Sequence, residues 1–241
     1  MAEDMSSLAE VRKRILAVDI LRALKSNYSY AQLSKLIDLP PTVLSRYING
    51  HMLPNSEKSE KIIDLFKEKY LLEIIKAKVT EVGGAYILTQ VNYDVNLQNL
   101  IARFIIHEFE LAKIDKVLTA ATDGIPLAVQ IGNGLGAKIV VAKKERDIGS
   151  IEFLEERAVF SPVLFKTFYL PKGSIKPRDQ VFIVDDIART GATIEALVRL
   201  VERSKARLAG IFTIFSIDDS VQKIKRNLKL KCRVESLLNL S

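Results

Sequence analysis

The chain has 241 residues, with 36 Lys and Arg against 29 Asp and Glu, a net charge of +7 and 48% hydrophobic residues. That is enough for one large domain and one small one, with a real core. A single cysteine, Cys232, excludes an internal disulfide, and two histidines, His51 and His107, leave no zinc-site spacing.

No apolar run reaches the ~18 residues of a membrane span. The opening MAEDMSSLAEVRKR lacks the apolar stretch of a signal peptide, so a cytoplasmic chain is expected. Residues 1–80 carry 13 Lys and Arg against 10 Asp and Glu, and residues 81–241 carry 23 against 19. The positive charge is therefore spread out and does not by itself locate a nucleic-acid surface.

Residues 11–25 place Ile15, Val18, Leu21, Ala23 and Leu24 at helical spacing. A second short helix is expected over Tyr30–Leu36, with Ala31, Leu33 and Leu36 inward. Asp38-Leu39-Pro40 is a turn, and Pro41 suits the first position of a third helix, Pro41–Ile48. Asn49-Gly50 stops it. Two short helices across a tight turn have the outline of a helix-turn-helix.

The text from Ser29 to Phe66 resembles the lambda-repressor-like class, in the phrase Leu44-Ser45-Arg46-Tyr47-Ile48-Asn49-Gly50 followed by Pro54. The resemblance implies that Thr42, Ser45 and Arg46 face DNA, with Val43, Leu44 and Ile48 more buried. Arg46 can make a bidentate contact to guanine. Lys35 and His51 flank this helix, where either can meet phosphate, though His51 fits a solvated loop as well. A helical module that only binds protein is the alternative.

From Ser56 to Val79 there is neither Gly nor Pro, so one long helix, or two with a bend, is expected. It ties the small domain on and can pair across a dimer. Gly83-Gly84 reads as the boundary. The organisation expected is a helix-turn-helix domain over 1–55, a helical linker over 56–84 and a ligand-binding domain over 85–241.

In that larger part, Ala85–Val91 alternates as a strand. Val95–Ala112 has the spacing of a helix, with His107 on its polar side. Lys116–Ala120 is a strand, Leu127–Leu135 a helix and Ile139–Ala142 another strand, which makes a parallel crossover unit. Leu164–Leu170 alternates as a strand. Strands are also expected over Leu208–Ile217 and Leu230–Leu238, around a short helix Ser220–Asn227.

The most informative stretch is VFIVDDIARTGAT, Val181–Thr193. A four-residue apolar run ends in Asp185 and Asp186, and a small glycine-containing turn then opens a helix. Helix starts offer unpaired N–H groups and partial positive charge to a phosphate. Gly191 permits close approach, and Thr190 and Thr193 add hydroxyls. Two acceptor-only carboxylates suit a ribose diol or a hydrated Mg²⁺. A polar cap on an ordinary strand–turn–helix is the plainer reading.

This stretch resembles the phosphoribosyl-pyrophosphate (PRPP) motif of type I phosphoribosyltransferases. The resemblance implies an α/β fold, a twisted parallel sheet with helices on both faces and a hood. It implies Asp185 and Asp186 on the ribose hydroxyls and Ala188, Arg189, Thr190, Gly191, Ala192 and Thr193 around the 5′-phosphate. Ala121-Thr-Asp-Gly-Ile-Pro126 resembles the family's pyrophosphate loop, so Thr122, Asp123 and Gly124 would meet pyrophosphate, with a strained peptide bond nearby. Lys143 and Lys144 match its basic pair. Mg²⁺ is implied with PRPP, without direct protein ligands.

By the same resemblance, Glu145–Val163 is a flexible catalytic loop. Residues 145–162 hold Arg146 and Arg157 against five acids, a net of −3, which is a poor lid for a leaving pyrophosphate. The ending VESLLNL resembles purine and xanthine phosphoribosyltransferases but contains no aromatic for base stacking. Joined to the helix-turn-helix, the whole is similar to archaeal GfcR-type and bacterial purine-repressor-like regulators. It is therefore expected to be a homodimeric, DNA-binding transcription regulator that senses PRPP or a nucleotide. The second reading is an active purine or orotate phosphoribosyltransferase, for which the acidic lid is unfavourable. No catalytic residue is assigned.

Overall fold

A computed structural model describes residues 2–111, 113–146, 148–149 and 152–240. The packing divides the chain into two units: residues 1–91 with 103–112, and residues 92–102 with 113–241.

The first unit is mainly helical. Its helices are α1 (Ala2–Lys25), α2 (Tyr30–Ile37), α3 (Pro41–Ile48), α4 (Ser56–Leu65) and α5 (Leu71–Lys76). Helix α1 turns Leu16, Ala17, Ile20, Leu21 and Leu24 inward, a spacing of three and four that makes one apolar face. Leu33 of α2 and Leu44 and Tyr47 of α3 are also buried. Leu36, expected inward, is on the exposed side of α2.

Polar contacts fasten α1 to the start of α4. Arg14 donates to the Pro54 carbonyl at 2.6 Å, and the Lys13 ammonium reaches Ser56 Oγ at 2.7 Å and Glu60 at 3.1 Å. Ser29 caps α2 in a reciprocal box: its hydroxyl accepts from the Gln32 N–H, and its own N–H donates to Gln32 Oε1 at 2.8 Å. The Ser29→Ala variant is expected to lose about 1 kcal/mol of stability in urea unfolding, the usual contribution of such a cap.

The run from Ser56 is continuous to Lys76 but passes through a π-helical turn, Phe66–Tyr70, between α4 and α5. The bend expected in a long helix is this local widening. Gly83 and Gly84 have φ of +57° and +77° and form the turn of a small hairpin, β1 (Thr80–Val82) and β2 (Ala85–Ile87). The strand expected up to Val91 stops at Ile87, and Thr89–Asn92 forms a helical turn, α6. Helix α7 (Val95–Glu108) ends before Ala112, where Glu110 turns to φ +49°. Ala112 itself lies outside the described residues.

The second unit is built on five parallel strands in the order β4-β3-β7-β8-β9: β3 (Lys116–Ala120), β4 (Lys138–Ala142), β7 (Gln180–Ala188), β8 (Arg207–Ser216) and β9 (Arg233–Asn239). Helices α8 (Ile125–Leu135), α9 (Ala192–Arg203) and α10 (Ser220–Leu228) connect them. Central strand β7 reads as a continuous buried run, as a strand covered on both faces must. Strand order reverses between β3 and β7. In open α/β sheets a ligand crevice lies outside the carboxyl ends at such a reversal.

The flexible loop expected over Glu145–Val163 is instead largely an antiparallel hairpin, β5 (Phe153–Ser161) with β6 (Leu164–Pro171). Its alternating Leu154, Glu156 and Ala158 suit a half-buried strand, and β5 packs on α9. Asp147 lies outside the described residues. Cys232, expected within a strand, sits half-buried at a bend just before β9.

Candidate functional site

The site begins with β7. Its hydrogen-bonded ladder to β8 continues through Asp185, opposite Thr213, to Ala188 opposite Ser216. The two aspartates therefore lie within the strand, where the sequence had suggested they follow it. They are 6% and 8% exposed. Burial pushes both carboxyl groups above the ordinary carboxylate range, and for Asp185 the neighbouring Asp186 charge adds to this. The Asp186 N–H donates to Asp185 Oδ1 at 3.1 Å, which offsets only part of that cost.

Gly191 follows with φ +86°, the left-handed region that glycine adopts without strain. An added Cβ would lie 2.7 Å from Ile224 of α10, so the turn is also tight against its neighbour. Helix α9 starts directly after it, at Ala192. The Ser220 hydroxyl donates to the Ala188 carbonyl at 2.7 Å and holds the turn's entrance.

Residues 121–124 form the loop between β3 and α8. The Ala121–Thr122 peptide bond is cis. Gly124 lies directly against Asp185: a Cβ there would be 2.6 Å from Asp185 Oδ1 and 2.3 Å from Thr119 Oγ1.

Both loops border one cleft of about 230 Å³. Thr122, Asp123, Lys144, Asp185, Asp186 and all of Ala188–Thr193 line it. Gly124 and Lys143 do not. Gly124 packs behind Asp185, and the Lys143 backbone pairs with Tyr169 of β6, at 3.0 and 2.7 Å.

Four further residues reach this region. Phe160, Lys166 and Phe168, all from the hairpin, line the cleft. Asn92 is buried and donates to Asp186 Oδ2 at 3.0 Å, while its own Oδ1 has no hydrogen-bond partner among the described residues. Tyr93 donates to Asp123 Oδ1 at 2.8 Å, and this bond raises the phenol's pKa.

The acids of the hairpin are engaged elsewhere, which corrects the picture of an acidic lid. Glu155 pairs with Arg146, Glu152 with Lys172 at 2.6 Å, and Glu156 with Arg199 and Arg203 of α9 at 3.2 and 2.9 Å. None of them lines the cleft, and neither does Arg157, which stacks on Phe165.

In the first unit, α3 presents Thr42 and Arg46 to solvent. Ser45 is half-buried, and its hydroxyl accepts from Asn49 Nδ2 at 3.1 Å. Leu44 and Tyr47 anchor the opposite face, and Arg22 donates to the Ile48 carbonyl at 2.9 Å to close the helix end. Lys35 and His51 are exposed.

Residues 90–238 match the phosphoribosyl transferase domain model. The chain belongs to the phosphoribosyl transferase domain family. A helix-turn-helix model matches residues 20–72 of the same chain, so the phosphoribosyl transferase domain follows a helix-turn-helix.

The chain is 29% identical over 150 residues to a probable purine biosynthesis transcriptional regulator PurR of Streptococcus pneumoniae, covering 59% of this chain and 54% of that one. It is 29% identical over 130 residues to the purine biosynthesis transcriptional repressor PurR of Bacillus subtilis, covering 54% and 46%. The chain thus spans about half the length of these relatives. Xanthine phosphoribosyltransferase of Bacillus cytotoxicus is 29% identical over 182 residues, 73% of this chain and 90% of that one.

Among solved structures, adenine phosphoribosyltransferase of Rhodothermus marinus superimposes with a TM-score of 0.60 at 24% identity, over 70% of this chain and 98% of that one. The Leishmania tarentolae enzyme gives 0.63 at 17%, over 72% and 88%. These two establish the α/β fold of the phosphoribosyl transferase domain.

Proposed function

We propose that this protein is a DNA-binding transcription regulator whose phosphoribosyl transferase domain binds PRPP or a nucleotide as its effector. The observation that carries this is one chain holding both a helix-turn-helix with exposed Thr42 and Arg46 and a cleft at the strand-order reversal floored by two buried aspartates. The names of the regulators it resembles support the same reading.

In this reading Asp185 and Asp186 accept from the ribose hydroxyls, and Ala188–Thr193 cup the 5′-phosphate with backbone N–H groups. Thr122, Asp123, Gly124, Lys143 and Lys144 serve the pyrophosphate end. Mg²⁺ suits the donor set. The described residues hold no cluster of three or more His, Cys, Asp or Glu able to cage a metal, and Mg²⁺ typically keeps its waters and adds one or two carboxylates and ligand phosphates. Bound there, it supplies positive charge beside two buried acids. The protein acts in the cytoplasm as a homodimer, placing two reading helices on two half-sites. The effector changes DNA affinity only by binding its two states unequally.

The test starts from duplex DNA selected from a random pool, with affinity read by fluorescence anisotropy. Binding is expected to weaken with salt and to change when PRPP and Mg²⁺ are added. Arg46→Ala is expected to lose about tenfold or more in specific affinity while its circular dichroism is unchanged. Failure to select any sequence would sink the regulator.

The second reading, an active purine or orotate phosphoribosyltransferase, draws support from the cleft itself. Its lid acids are paired away from it, and Lys144 lines it. Base-dependent release of pyrophosphate from PRPP, lost in Asp185→Asn, would favour the enzyme.

A further inference from the structure

The β5–β6 hairpin has one irregularity, and it lies at the cleft. Val159 pairs with Phe165 and Ser161 with Leu164, so Phe160 is an extra residue in β5. A bulge of this kind bends its strand and re-aims the side chains beside it. Phe160 and Lys166 both line the cleft, with Phe168 two residues further along β6 on the same face. The Lys166 ammonium lies 5.5 Å from the centre of the Phe160 ring.

Other cations near the hairpin are neutralised by acids, as Lys172 is by Glu152 and Arg146 by Glu155. Lys166 instead rests on a ring face, which orients an ammonium without cancelling its charge. The backbone pairing of Lys143 with Tyr169 ties β6 beside the end of β4, next to Lys144. Two lysines thus border the cleft from adjacent strand ends.

We propose that Lys166 is a ligand-binding residue that contacts the pyrophosphate end of the effector, and that Phe160 is the residue that positions it. This rests on the reading of the cleft as a PRPP site and adds a contact from the hairpin. The hairpin then contributes positive charge to the ligand, although residues 145–162 carry net negative charge. Phe160 also keeps a face against the ammonium that is not offered to a base.

Calorimetry on the full chain with Mg²⁺ tests this, using PRPP and ribose 5-phosphate as probes. Lys166→Gln is expected to weaken PRPP about tenfold or more, the usual worth of one charge-assisted contact, and to leave ribose 5-phosphate unchanged. Lys166→Arg restores PRPP affinity to within about threefold, and Phe160→Leu lies between wild type and Lys166→Gln. Wild-type affinity for PRPP in Lys166→Gln overturns the proposal, as does an equal loss for both probes. A wild-type chain that binds neither probe overturns the effector reading itself, a separate and distinguishable failure.

Discussion

Asp185→Asn is expected to raise the thermal midpoint of the ligand-free protein at neutral pH and to abolish PRPP binding. The two effects have one cause. Asp185 is buried beside Asp186, and burial and that neighbour hold its carboxyl well above the ordinary range. A carboxyl with a raised folded-state pKa keeps its proton over a window in which the unfolded chain has lost it. Stability therefore falls as pH rises from the unfolded value, about 3.9, through the raised folded value. Above that window the folded protein carries the full cost of the buried charge.

Asparagine keeps the shape and removes the charge. The gain in midpoint should be largest at neutral pH and should vanish below about pH 4. Binding moves the other way: losing charged acceptors for two ribose hydroxyls should cost on the order of 100-fold in PRPP affinity. Thermal unfolding across pH, with and without PRPP and Mg²⁺, reads both effects. A variant less stable than wild type at pH 7 would contradict the account. Sites that bind charge commonly sacrifice stability for function in this way.

Gly124→Ala is expected to be the most damaging single methyl in the second unit. The new Cβ would meet Thr119 Oγ1 at 2.3 Å, Asp185 Oδ1 at 2.6 Å and the Asp185 Cα at 3.1 Å. Gly124 has φ −76°, so the backbone conformation itself suits alanine and the conflict is purely one of space. Neither neighbour yields easily, because Thr119 is fully buried in β3 and Asp185 is held in β7. The loop must lift away from β7, at a cost of about 1–3 kcal/mol or more. Urea unfolding should show that loss, and PRPP affinity should fall with it because the lifted loop borders the cleft. Adding Thr119→Ala removes the shortest contact and should recover part of the stability, leaving the clash with Asp185.

These two sites were legible in the sequence to different degrees. The phosphate turn was plain, because strand, acids, glycine and helix follow each other within thirteen residues and each has a local reason to be there. The helix-turn-helix was legible for the same reason: Pro41 and Asn49-Gly50 mark both ends of α3. What the sequence hid depends on partners distant along the chain. Asn92 looked like the residue after a strand, and its bond to Asp186 joins positions 94 apart. The lid looked acidic because Glu152, Glu155 and Glu156 were counted without Lys172, Arg199 and Arg203. Lys166 fell just past the counted segment, and only the strand register shows which face it takes. The hairpin looked like a loop because its charged residues masked a period of two.

The parallel sheet has a consequence for how the cleft comes into being. Strands β3 and β7 are neighbours, yet Lys116 pairs with Val181, 65 positions later in the chain. Crossovers of this kind must close long stretches of chain before any contact rewards them, which places them among the slow steps of folding. The two loops that face the ligand are therefore strangers until nearly the whole unit is assembled. No fragment of the chain can hold the effector early, so saturation of the cleft is also a certificate that the unit is complete.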